Sequence, residues 1–189
     1  LTLVIPAAPL AVAAERKPEP ARSAEGVKLQ ETLTDIAREC LKSWPETATS
    51  LAIPIAEAGG KYSDRLADRS EAEAIRFKAS MKDWLTRLEK VDTALLSEAD
   101  RISHDVVKAA VLNGMGTAEF AWGNVGFLPS PYVVNQFDCA FTFIPDFLDS
   151  QHPLKSAEDA ADYLKRLSAY AVVLDQESAR IKADAGRGV

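Results

Sequence analysis

Histidine and cysteine are scarce in this sequence: 189 residues hold two of each, His104 and His152, Cys40 and Cys139. Hydrolysis by a nucleophile and a base needs a Ser, Cys or Thr beside a proton acceptor, and two histidines leave that chemistry few places to sit. His-Glu-x-x-His, paired-cysteine metal spacing, a Gly-rich phosphate loop behind a strand and G-x-S-x-G are all missing. So is an excess of positive charge. With 22 Lys and Arg interleaved among 28 Asp and Glu, for a formal charge of −6, a nucleic-acid-binding face is excluded. Nor is there an apolar run of the roughly 20 residues that a membrane helix requires. The uncharged opening stretch ends before Glu15 and is broken by Pro6 and Pro9.

What is present suits one folded domain with its own core, at 47% apolar and 26% charged residues. In the opening stretch Ala11-Val12-Ala13 fits the small-x-small pattern of a signal-peptidase site. Residues 1–14 are therefore expected to be a signal-peptide remnant, which points to export to a bacterial periplasm or cell envelope. Residues 15–26, rich in charge, Pro, Ala and Ser, cannot bury enough apolar area to fold and read as a disordered tether. The folded part is expected over residues 27–189. An exported protein could bridge Cys40 and Cys139, and the sequence leaves that open, since Cys40 also falls on an apolar helix stripe where a free thiol packs well.

The periodicity is helical. Leu29, Leu33, Ile36, Cys40, Leu41 and Trp44 make one stripe, which Pro45 ends. Residues 45–70, with two prolines and Gly59-Gly60, are expected to be an ordered connection without a helix. Ser70 with Glu73 forms a capping-box pair opening a helix through Phe77, Met81, Trp84, Leu85, Leu88 and Val91. Ser97 with Asp100 opens another, whose apolar positions are Ile102, Val106, Ala110 and Leu112 and which weakens at Gly114 and Gly116. Residues 123–155, dense in Pro and aromatics, predict a long packed loop with one short helix near Pro145 to Ser150. Ser156 with Asp159 opens a helix that is expected to break near Ala169, before a last helix running to the Gly186-Arg187-Gly188 stop. Tyr132 to Val134 is too short to count as a strand, so the class is all-α, antiparallel helices with long ordered connections. Val189 after that stop reads as the start of a further connection, which makes the chain an N-terminal fragment of something longer.

Candidate chemistry is thin. Asp100 and His104 stand four apart on a helix and could share a metal, but two ligands do not make a site. Arg101 and Asp105 repeat the spacing next door, so a solvated face laced by ion pairs is the alternative reading. His152, before Pro153, reads as a solvated or turn-bonded histidine. No catalytic, cofactor-binding or metal-ligating residue is therefore assigned.

The order of several short motifs is more specific than any one of them. Pro45-Glu46-Thr47-Ala48-Thr49, Leu96-Ser97 through Asp100-Arg101-Ile102, Tyr163-Leu164-Lys165-Arg166-Leu167 and the closing Gly186-Arg187-Gly188-Val189 resemble the N-terminal part of the bacterial family known as domain of unknown function 885. Where members of that family often have Pro after the Tyr-Leu-x-Arg-Leu helix, this chain has Tyr170-Ala171. The resemblance implies an exported protein or lipoprotein with a helical zincin-like fold, in which a C-terminal His-Glu motif holds zinc and supplies the base. That motif has no counterpart among these residues. On this expectation zinc belongs to the full-length parent, and the partners are the rest of the same chain and, in the parent, a peptide substrate. The segment from Phe120 to Phe147 is then a cleft-facing or interdomain surface, or else core. The competing class is a non-enzymatic helical binding or scaffold domain of the cell envelope.

Overall fold

The computed structural model describes residues 22–124 and 130–189, and the expected signal-peptide remnant lies outside them. Six α-helices account for the architecture of the described residues: α1 (Ala24–Ser43), α2 (Pro45–Ser50), α3 (Glu71–Glu89), α4 (Glu98–Thr117), α5 (Ala140–Ser150) and α6 (Ala157–Ala185). A 3-10 turn, Thr93–Leu95, precedes α4. The only β contact among the described residues is an isolated bridge between Asn124 and Ser130. The class is all-α. No described helix is long and apolar enough to cross a membrane.

Serine caps set most of the helix starts. Ser70, Ser97 and Ser156 each accept a hydrogen bond from the amide three residues on, as their sequence contexts predict. Ser23 does the same for Gly26, so α1 begins three residues before Val27, inside the stretch assigned to the tether. Pro45 ends α1 and then occupies the first turn of α2, where its missing N–H costs nothing, so part of the expected non-helical connection is a short helix. α5 starts at Ala140, earlier than the prolines suggest, and carries Pro145 inside it. α6 runs unbroken for 29 residues, and the expected interruption near Ala169 does not occur.

Two cores result. In the first, α1, α3 and α4 pack on one another around Leu29, Phe77, Met81, Trp84, Leu88 and Val111. Phe77 lies between Trp44, tilted against it at 4.6 Å, and Trp84, edge-on at 5.3 Å. Each such large side chain contributes about 1.5–3 kcal/mol through burial. In the second, α5 lies on α6 around Ile144, Phe147 and Val173.

The inward stripe of α4 differs from the one expected. Ile102, Val106 and Leu112 face solvent, whereas Asp100, His104 and Val111 are buried. The helix carries two candidate stripes, and α3 covers the one that mixes polar with apolar residues.

Candidate functional site: a cleft beside a buried charged seam

The inner face of α6 is charged. Asp162, Arg166, Glu177 and Asp184 are all buried, spaced so that every one falls on the same side of the helix. Arg166 is fully buried and the most heavily bonded side chain of the set. Its Nε donates to Arg65 O at 2.9 Å, one terminal nitrogen donates to His152 Nδ1 at 2.8 Å, and the other donates to Thr49 Oγ1 at 2.8 Å and Tyr62 O at 3.1 Å. The guanidinium lies 4.9 Å from the centre of the Phe147 ring. The Pro-Glu-Thr-Ala-Thr and Tyr-Leu-Lys-Arg-Leu motifs therefore meet, 117 residues apart in sequence, through Thr49 and Arg166.

His152 is part of this knot. Because a guanidinium can only donate, Nδ1 accepts from Arg166, and Nε2–H donates to Asp159 O at 2.9 Å. The residue is buried, not solvated, with its ring edge-on to Tyr163.

Further along α6, Glu177 takes Arg69 at 2.7 Å and the amide of Ala140 at 2.8 Å, so one carboxylate ties the 51–69 connection to the start of α5. Asp184 accepts from Gly123 N at 3.0 Å, at a glycine whose φ of +75° disfavours other residues. At the other end Asp162 accepts from Ser63 at 2.6 Å and pairs with Lys61 at 3.0 Å. Burial opposes its ionisation, but the Ser63 hydroxyl and the Lys61 ammonium outweigh it and hold Asp162 below the ordinary aspartate value of 3.8.

Where the two cores meet, a cleft of about 410 Å³ opens between the α1–α2 corner, the start of α3 and the C-terminal half of α6. That volume is in the range of small-ligand sites. Trp44, Phe77 and Phe143 give it an apolar wall, and Glu46, Arg69 and Arg180 bring charge. Glu46 is buried, and its carboxyl is bonded by Ala67 N, at 2.9 Å to Oε1, and by its own backbone amide. Burial pushes its carboxyl above the usual range, against the pull of the Ala67 amide, Arg69 and Arg166.

The residues singled out from sequence are elsewhere. Asp100 and His104 are both buried, so the solvated-face reading is overturned, yet they do not share a ligand. Asp100 accepts from Ser97 Oγ at 2.8 Å and pairs with Arg22 at 3.3 Å, while His104 uses Nε2 on Leu88 O at 3.1 Å and Nδ1 on Asp105 at 2.9 Å. Among the described residues no three His, Cys, Asp or Glu side chains come together in a metal-binding group, so these residues do not fit a zinc ion. Both cysteines are free thiols. Burial and the neighbouring Glu39 push Cys40 up to about 12, which makes it inert.

The Phe120 to Phe147 segment divides between the roles open to it. Phe147 is core, Phe143 lines the cleft, and Tyr132, Phe137 and Phe141 are exposed. Sequence reasoning missed Glu46, Arg166 and Glu177. The signal available was the spacing of Asp162, Arg166, Glu177 and Asp184 on one face of α6, which a search for apolar stripes passes over.

The family model described as "Bacterial protein of unknown function (DUF885)" matches residues 45–189. Among solved structures the chain is similar to "the putative lipoprotein from Colwellia psychrerythraea", with a TM-score of 0.77 and 18% identity over 87% of this chain. It spans 28% of the length of that protein, and the likeness shows the fold alone. No curated protein matches it.

Proposed function

This chain belongs to the DUF885 family of bacterial proteins, and from that premise we propose that it forms the N-terminal helical region of a longer, exported, zinc-dependent peptidase. In this reading it is a rigid wall beside the substrate channel and supplies no catalytic residue. The observation that carries it is the match of 87% of the chain to 28% of a longer protein. The apolar side chains left outside agree with it: Leu164 and Val172 on α6 and Ile102 and Val106 on α4 are each more than half exposed, as surfaces awaiting neighbours would be. Export is supported by the Ala11-Val12-Ala13 pattern and by the lipoprotein description of the similar structure. The peptidase chemistry rests on the motif resemblance. On this reading zinc is held by the rest of the parent chain, as the motif resemblance implies; among the described residues no three donors assemble around one.

The test is to read the gene past Val189 and assay the full-length product. A downstream helix carrying His-Glu-x-x-x-x-His and a later Glu, one zinc per chain and peptide hydrolysis are the expected result. A stop codon directly after Val189, or a full-length protein without zinc or hydrolysis, overturns the reading in favour of an envelope binding domain.

A further inference from the structure

Both histidines of the chain are buried, and their hydrogen-bond partners ask for opposite charge states. His104 stands between two acceptors. Its Nε2 meets Leu88 O at 3.1 Å and its Nδ1 meets the Asp105 carboxylate at 2.9 Å, so both ring nitrogens must carry protons for both bonds to form. Asp100, one turn before it, and Lys108, one turn after it, are paired with Arg22 and with Glu89 of α3. His152 stands between an acceptor and a donor. Its Nε2–H donates to Asp159 O at 2.9 Å, while Nδ1 accepts at 2.8 Å from Arg166, a guanidinium with no lone pair to offer in return.

A second proton on His152 therefore has no place in the closed structure. It would set N–H against N–H and put an imidazolium beside a guanidinium, out of reach of water. The titratable groups around the pair are already engaged. Asp159 spends its carboxylate on Lys155 N and on Ser156, and Tyr163 presents its ring. On the far side of Arg166, Glu46 of α2 is bonded to Ala67 N, the Tyr62 hydroxyl donates to Ile53 O, Asp64 pairs with Lys165, and Asp162 is held by Ser63 and Lys61. Arg166 is also the donor that holds Thr49 of α2 and the carbonyls of Tyr62 and Arg65, so a shift of its guanidinium loosens all three contacts together.

We propose that His152 and Arg166 form an acid-opened latch. A proton taken from solvent at His152 Nδ1 breaks the bond to Arg166 and releases the first half of α6 from α2 and the 51–69 connection, while α3 and α4 stay packed. A histidine in water takes up its proton near pH 6.5, so the latch is closed above about that value and weakens as pH falls below it. The His104 contact has the opposite sign, complete in acid and weakened as pH rises, which is why acid spares the α3–α4 half. The latch is independent of the peptidase reading, and its failure would leave that reading to be decided by zinc content and hydrolysis.

The experiment is amide hydrogen exchange on the full chain at pH 7.5 and 5.5, expressed as protection factors so that the intrinsic pH dependence of exchange is removed, for wild type and His152→Asn. Asparagine places an acceptor where Nδ1 stood and takes up no proton. In the wild type, protection of α2 and the first half of α6 should fall about tenfold between the two pH values, the ratio for an opened histidine that gains a proton the closed one refuses. Protection of α3 and α4 should not fall, and in His152→Asn the fall in α2 and α6 should vanish. Should that variant not fold, the nitrogen-15 spectrum of the His152 ring in the unaltered protein decides: an unprotonated Nδ1 at pH 7.5, gaining its proton together with the loss of α6 protection, is expected. An equal fall in both proteins, no fall in the wild type, a fall as large across α3 and α4, or a protonated Nδ1 at pH 7.5 overturns the proposal.

Discussion

The α1, α3 and α4 half and the α5–α6 half bury side chains by opposite means. The first is held by a continuous apolar cluster from Leu29 to Val111, with Trp84 Nε1 bonded to Glu39 at 2.6 Å as a polar contact at its edge. The second has a small apolar cluster and joins the first through a row of buried ions on α6. Apolar burial is non-directional and tolerates small shifts, whereas a buried ion must have its partners in place. The charged seam ties α6 to α2 through Thr49, to the connection through Ser63 and Arg69, and to Gly123, and the cleft with Glu46 opens beside it.

Breaking the seam should cost most. Arg166→Met leaves His152 Nδ1, Thr49 Oγ1 and the carbonyls of Tyr62 and Arg65 without their shared donor, for an expected loss of about 3–5 kcal/mol in urea unfolding. A loss below about 1 kcal/mol would mean that the seam is incidental. Leu88→Ala in the apolar half should cost about 2–5 kcal/mol by removing transfer energy and leaving a cavity. Its cost should be the same at every pH, since no ionisable group is exchanged.

The seam should respond to pH with two opposing signs. Asp162, held low, contributes stability that is present above 3.8 and is lost as pH falls through its lower folded value, so wild type and Asp162→Asn should converge in acid. Glu46, held high, behaves in reverse. Its contribution is intact below 4.5 and is lost as pH rises through its raised folded value, so Glu46→Gln should gain on wild type as pH increases. Thermal melts of both variants across the acid range check this, and parallel curves would contradict it. The smallest effect is local: Ser97→Ala removes the cap of α4 and should cost about 1 kcal/mol, read as a lower melting temperature.

Legibility followed the same division. In the apolar half the 3.6-residue stripe of α3 named Phe77, Met81, Trp84 and Leu88 correctly, because there the buried face and the apolar face coincide. On α4 they part: burial of Asp100 and His104 is repaid by Ser97, Arg22 and the Leu88 carbonyl, partners from other elements that local sequence cannot announce. On α6 the charged residues that pack inward resemble any solvated face, and the helix runs through the expected break near Ala169, where Tyr170, Val173 and Leu174 pack in the cluster that α5 shares. Two of the motifs that carry the family resemblance meet in the fold, where Arg166 bonds Thr49.

By itself the sequence determined the helical class, three serine caps and the core of α3, since each depends on residues within a few positions of one another. The pairing of Arg166 with Thr49, the burial of His104 and His152, the continuity of α6 and the cleft around Glu46 were decided by tertiary structure. Each needs partners brought from distant parts of the chain, and only those partners make it favourable to take a charge or an imidazole out of water.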